Sequence, residues 1–105
     1  MILPITVPIT ITHDPAAHRF QAQVEGLWAV CVYRRVDNVL HITHTEVPRA
    51  LEGRGIAALL VQEALAWARS EGLHVHPACS YVAAYMRRHP QTQDLLWQPN
   101  QATKR

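Results

Sequence analysis

The sequence predicts an α/β (α+β) fold: a mixed, mostly antiparallel five-stranded sheet carrying two main helices. Three observations lead there. Residues 5–47 form four runs of alternating or β-branched side chains separated by short turn signals, the mark of an antiparallel meander. After Pro48 the apolar period becomes that of a helix. A last β-branched run follows that helix, so it returns parallel to the strand before it.

Taken in order, Ile5 to His13 reads as a strand stopped by Asp14-Pro15. His18 to Val24 is a second, closed by the tight-turn pair Glu25-Gly26. Leu27 to Val36 is a third, turned back by Asp37-Asn38, and Val39 to Val47 a fourth. Ile56, Leu59, Leu60, Ala64, Trp67 and Ala68 then share one helical face, and Gly72 is placed to end that helix. Leu73 to Pro77 is the fifth strand. Ser80 is expected to cap a second helix bearing Val82, Tyr85 and Met86, which stops before Pro90. Cys31, Trp28 and Trp67 are expected in the core, and Trp97 is expected to dock on the body, with residues 98–105 fraying.

The 105 residues make a single domain, 1–105, with one core. About half are apolar (49%), enough to bury a core and to argue against disorder. The net charge is only +2, and the nine arginines and one lysine are scattered, so no nucleic-acid surface is indicated. Two cysteines are too few for a disulfide framework, the start lacks a basic, apolar leader, and the run Leu27 to Tyr33 is too short for a bilayer. A cytoplasmic protein with no membrane partner is expected.

The chemistry begins at His44-Thr45-Glu46-Val47-Pro48-Arg49-Ala50-Leu51-Glu52-Gly53-Arg54-Gly55-Ile56-Ala57. A strand runs through a turn and two glycines into a helix, which builds a ring of free N–H groups at a positive helix end. Such a ring holds a phosphate, and glycine lets the backbone close on it. A P-loop needs Gly-Lys-Ser/Thr, which is absent here. Gly53, Gly55 and Ala58 satisfy G-x-G-x-x-G/A, but the next strand ends His76-Pro77 with no acidic residue and no second nucleotide half follows. The bland alternative is that the glycines only end a turn.

Together, His44-Thr45-x-Val47-Pro48, the Gly53-x-Gly55-Ile56-Ala57 loop, Pro77-x-Cys79 and Arg88-His89-Pro90 resemble the small, single-domain subfamily of the GNAT N-acetyltransferase superfamily. The resemblance covers roughly residues 18 to 96. The superfamily loop, Gln/Arg-x-x-Gly-x-Gly/Ala, is met by Glu52 to Ala57 with Glu52 in the Gln/Arg place. It implies a GNAT-like fold trimmed of the usual first two helices, since only Asp14 to Ala17 separate the first strands. It also implies acetyl-CoA as co-substrate, in a cleft where the fourth and fifth strands part. The pyrophosphate would meet Gly53, Arg54, Gly55, Ile56 and Ala57, and the pantetheine the backbone near Glu46 and Val47. Arg49 and Arg54 can meet remaining phosphate charge, and Tyr85 is placed with the cofactor-binding residues. The superfamily's usual thiolate acid, a tyrosine, falls here on Met86, with Tyr85 one residue earlier.

An N-acetyltransferase needs a deprotonated amine, a polarised thioester carbonyl and a path for the leaving thiolate. A backbone N–H near Val47 can polarise the carbonyl. Cys79, between a strand and a helix N-terminus, sits where thiol pKa values fall, and it reads either as a nucleophile carrying the acetyl group or as a lining residue. His44 is the best base, and Glu46, on its face of the strand, can orient an amine or act through water. His74 and His76 share a face but His41 and His44 do not, so no metal site is expected. The alternative function is a CoA- or acyl-CoA-binding module without turnover; a third, an interaction or nucleic-acid domain, predicts no CoA affinity and steep salt dependence. The acceptor amine is left open: protein or peptide, polyamine or small metabolite. A partner subunit can supply the missing substrate wall.

Overall fold

Five strands form one sheet in the order β1-β2-β3-β4-β5: Thr12–Asp14, Arg19–Val24, Leu27–Val36, Val39–Glu46 and His74–Pro77. The structure, a computed structural model, describes residues 8–99. The first four strands are antiparallel neighbours, and β5 lies parallel to β4 after the helix α1, Ile56–Ser70. A second helix, α2, spans Ser80–Arg88. The mixed sheet expected from the sequence is therefore what forms. The first strand is the exception, since within the described residues it spans only Thr12–Asp14. Pro8 has no N–H to offer a ladder, and Ile5 to Val7 and residues 100–105 of the tail expected to fray over 98–105 fall outside the described residues.

Local chemistry accounts for the turns. Glu25 and Gly26 both take positive φ, 52° and 78°, as a two-residue hairpin turn matched to strand twist requires. Past α1 the N–H of Leu73 bonds the carbonyl of Ala68 (2.8 Å) and that of Gly72 bonds Arg69 (3.3 Å), the paired closure that ends many helices. At α2 the cap is Cys79, in extended conformation, rather than Ser80, which is already helical. Cys79 therefore takes the N-cap position that the sequence assigns to Ser80.

Both helices pack into one core on one face of the sheet, formed by Phe20, Ala29, Cys31, Tyr33, Leu40 and Ile42 from the strands with Leu60, Val61, Ala64, Val82 and Met86 from the helices. Trp67 seals its edge, meeting the His13 ring at 4.6 Å, and His13 shares a 2.6 Å hydrogen bond with the Tyr33 hydroxyl. Trp28 is not in this core: it is 49% exposed. Ala29, Cys31 and Tyr33 take the helix side, so by period-2 alternation Trp28 faces the side on which no helix packs.

One irregularity decides which side chains reach the site. The β3–β4 register runs Cys31↔Thr45 and Val32↔His44, then jumps to Tyr33↔Ile42, leaving Thr43 as the extra residue of a β-bulge. Below it Leu40 and Ile42 face the core. Above it the parity is reversed, and Thr45 faces inward opposite Cys31, while His44 and Glu46 face out with Val32 and Val30. The bulge also puts His41 and His44 on the same face, where an unbroken strand would have separated them. No group of three or more His, Cys, Asp or Glu able to hold a metal is gathered among the described residues.

Trp97 docks as expected, donating its backbone N–H to the Val75 carbonyl at 2.8 Å and packing its ring on those of His41 and His76 at 5.7 and 5.4 Å. His41 is held below the ordinary histidine pKa by partial burial first, then by the charge of His76 and Arg34. Burial lowers His13 as well, against a smaller upward pull from Asp14. A folded-state pKa below the unfolded value (~6.5) confers stability that is complete above that value and is lost as pH falls through the folded value. Tm should therefore be lower at about pH 5.5 than at about pH 7.5, and His41→Gln should shrink the difference; thermal unfolding at the two pH values measures both. No helix among the described residues is long and apolar enough to cross a membrane.

Candidate functional site

Pro48 ends β4, and a 3-10 turn over Arg49–Leu51 swings the chain round, pinned by the fully buried Leu51. Gly53 and Gly55 follow with φ of 84° and 78°, and Gly55 is the N-cap of α1. A Cβ at either glycine would meet nothing within 4 Å. In this loop glycine is thus required by the left-handed backbone rather than by crowding. No side chain caps α1, so the N–H groups of Ile56, Ala57 and Ala58 point out of the helix without intrahelical acceptors. They border a cavity of about 230 Å³ lined by Val47, Gly53, Gly55, Ala57 and Tyr81.

Below this cavity the sheet opens. β4 and β5 are paired from Val39↔His74 to Ile42↔Pro77, and the last rung is the Cys79 N–H on the Ile42 carbonyl at 3.0 Å. From Thr43 to Glu46, β4 has no partner on β5, so apart from the Thr45 backbone, which meets Cys79, that edge can take an extended ligand. Cys79 marks the closed end of the slot and the glycine loop its open end.

Cys79 is half-buried, with Sγ 3.6 Å from the Thr45 hydroxyl. Partial burial pushes its thiol up, but the backbone N–H of Val82, the Thr45 hydroxyl and the backbone of Tyr81 and Thr45 outweigh that and hold it below the ordinary thiol value. Cys31, on the far side of Thr45, is fully buried and pushed up to about 11, chiefly by desolvation. One cysteine is tuned toward thiolate and the other away from it.

The remaining candidates divide. Val47 and the loop residues Gly53, Gly55, Ile56 and Ala57 converge on the cavity. Arg54 turns its guanidinium to Glu25 on the β2–β3 turn at 2.7 Å, leaving the loop its backbone N–H, while the exposed Glu52 also borders the cavity. Tyr85 is buried and stacked on His89 at 3.9 Å, away from the loop. Tyr81, one helical turn earlier, lines the cavity instead. Sequence reasoning missed it, although its place two residues after Cys79 in the first turn of α2 was a usable signal. His44 and Glu46 meet each other at 3.1 Å on the outer face of the sheet, opposite to the face where Thr45 touches Cys79. A larger cavity, about 510 Å³, lies at the other end of β4 against His41, His74 and Trp97; it contains none of the loop N–H groups and no cysteine.

The chain matches known proteins over most of its length. The profile of the family described as GCN5-related N-acetyl-transferase matches residues 19–95. Protein NATD1 of Mus musculus is 36% identical over 91 residues, covering 84% of this chain and 83% of that protein. The Danio rerio NATD1 is 31% identical over 97 residues, covering 90% and 88%. Among solved structures, a GCN5-like protein from Staphylococcus aureus, determined by NMR, superposes with a TM-score of 0.68 at 25% identity, covering 84% of this chain and 87% of that one.

Proposed function

Because this chain belongs to the GCN5-related N-acetyltransferase family, we propose that it takes acetyl-CoA into the slot between β4 and β5 and transfers the acetyl group to an amine by way of Cys79. The observation that carries the reading is the convergence of three features along one slot: unpaired N–H groups at the glycine loop, an unpaired β4 edge, and a low-pKa cysteine at the closed end. The loop N–H groups of Arg54 to Ala57 meet the pyrophosphate, and the backbone near Glu46 and Val47 pairs with the pantetheine amides. Tyr81 walls the cavity on the α2 side.

Cys79 as thiolate attacks the thioester carbonyl carbon; its new C–S bond replaces the bond to CoA, which departs as a thiolate and takes up a proton. A neutral amine then attacks the acetyl-Cys79 carbonyl, its proton passes to water in the slot, and the Cys79 thiolate is regenerated; His44, on the outer face of the sheet, takes up that proton only through water. The Val47 N–H favours charge on the carbonyl oxygen in both steps. His44 and Glu46 face the side of the sheet that lacks helices, which gives the amine an open approach. That openness suits a protein or peptide amine, a polyamine or a small metabolite.

A specific observation supports a second reading, a CoA-binding module without turnover: Met86, at the superfamily's tyrosine position, is fully buried, so no general acid stands there. The discriminating experiment incubates the protein with acetyl-CoA and a panel of amines and follows free CoA thiol. Amine-dependent thiol release together with one acetyl group on Cys79 by peptide mass mapping supports the transferase; binding without either supports the module.

A further inference from the structure

We infer that Thr45 is a positioning residue for Cys79, its hydroxyl turning from Cys31 to the Cys79 sulfur when that sulfur ionises. The inference rests on the Cys79 reading above and deepens it.

The geometry is a line of three side chains across three elements. Thr45 Oγ1 lies 4.0 Å from Cys31 Sγ on β3 and 3.6 Å from Cys79 Sγ at the start of α2. As a thiol, Cys79 donates to Thr45 Oγ1 while the Thr45 hydroxyl donates to Cys31. When Cys79 loses its proton to solvent, it has nothing left to donate and becomes a strong acceptor. The hydroxyl can satisfy it by one rotation about its C–O bond, and Cys31, still a thiol because burial holds it up, can donate S–H to Thr45 Oγ1 in return. The three groups therefore stay bonded in both protonation states. A valine in place of Thr45 would fill the same space and do neither.

The β-bulge creates this arrangement. Were Thr43 paired with Val32 in a regular ladder, His44 would lie opposite Cys31 and Thr45 would face outward. Across Thr45 from Cys79 lies the titratable Cys31 on β3, and on α2 the Tyr81 side chain turns to the loop cavity. His44 and Glu46 on β4 and His76 on β5 belong to the opposite face, and α2 contributes the N–H groups of Tyr81 and Val82. The side-chain hydrogen bond to the Cys79 sulfur is that of Thr45.

The test is the pH profile of Cys79 alkylation by iodoacetamide, read by peptide mapping so that Cys31 does not contribute. Thr45→Val should raise the profile's midpoint by about one pH unit, slowing alkylation roughly tenfold below both midpoints. Thr45→Ser should restore the wild-type midpoint, and Thr45→Ala, which adds no bulk, should match the valine variant. A midpoint unchanged in both Thr45→Val and Thr45→Ala overturns the inference. Acetyl-CoA labelling of the wild-type protein separates this outcome from the mechanism: a raised midpoint in a protein that never acquires acetyl-Cys79 supports the role of Thr45 and refutes the two-step transfer.

Discussion

Replacing Gly55 by valine should abolish measurable acetyl-CoA binding while the helical signal of the fold persists. Gly55 caps α1 at φ 78°, a conformation that a β-branched residue adopts only at a cost of about 1–3 kcal/mol. The loop relieves that strain by leaving the left-handed region, and the N–H groups around it no longer converge. A loss of more than ~10-fold in affinity is expected from calorimetry. Gly55→Asn grades the effect, because asparagine tolerates the left-handed region. Since a Cβ at Gly55 meets no protein atom within 4 Å, the asparagine variant should keep the loop's shape and more of its affinity. Valine binding as tightly as glycine would mean that the loop holds no phosphate.

The second large effect is at Cys79. Cys79→Ser keeps the size and the capping position but removes an ionisable nucleophile at neutral pH. Amine-dependent CoA release should fall at least ~100-fold, the scale on which loss of a working nucleophile is felt. Acetyl-CoA affinity should stay within about threefold, because backbone groups of the loop and β4 carry the binding in this account. Retained turnover would point instead to direct attack of the amine on the thioester. The two variants act on different links: Gly55 on the loop that binds, Cys79 on the bond that is made.

Much of this was legible in the sequence because it rests on periodicity. Leu27–Val36 and the start of α1 at Ile56 follow directly from a change of apolar period, and Gly55 from its place before the helix. What was not legible depends on single residues that periodicity averages over. The extra Thr43 leaves β4 looking like any alternating strand, yet it moves Thr45 inward and brings His41 and His44 to one face. Trp28 looks like core by composition, but which face of β3 is covered depends on helices that pack only on the other side. Cys79, not Ser80, caps α2, a difference of one residue that decides which side chain meets the free N–H groups. Tyr81 and Tyr85 stand one turn apart on α2, and only their neighbours in the folded chain show that the first borders the loop cavity and the second packs inward.

The central claim is the place of acetyl-CoA, and the most direct measurement is a backbone amide titration by NMR. Adding acetyl-CoA should shift the amides of Arg54 to Ala58, of Thr45 to Val47, and of Cys79 to Val82, tracing the slot from its open end to its closed one. Shifts confined to the cavity beside Trp97 at the other end of β4, or no shifts at all, would contradict the account and remove both the binding site and the role given to Cys79.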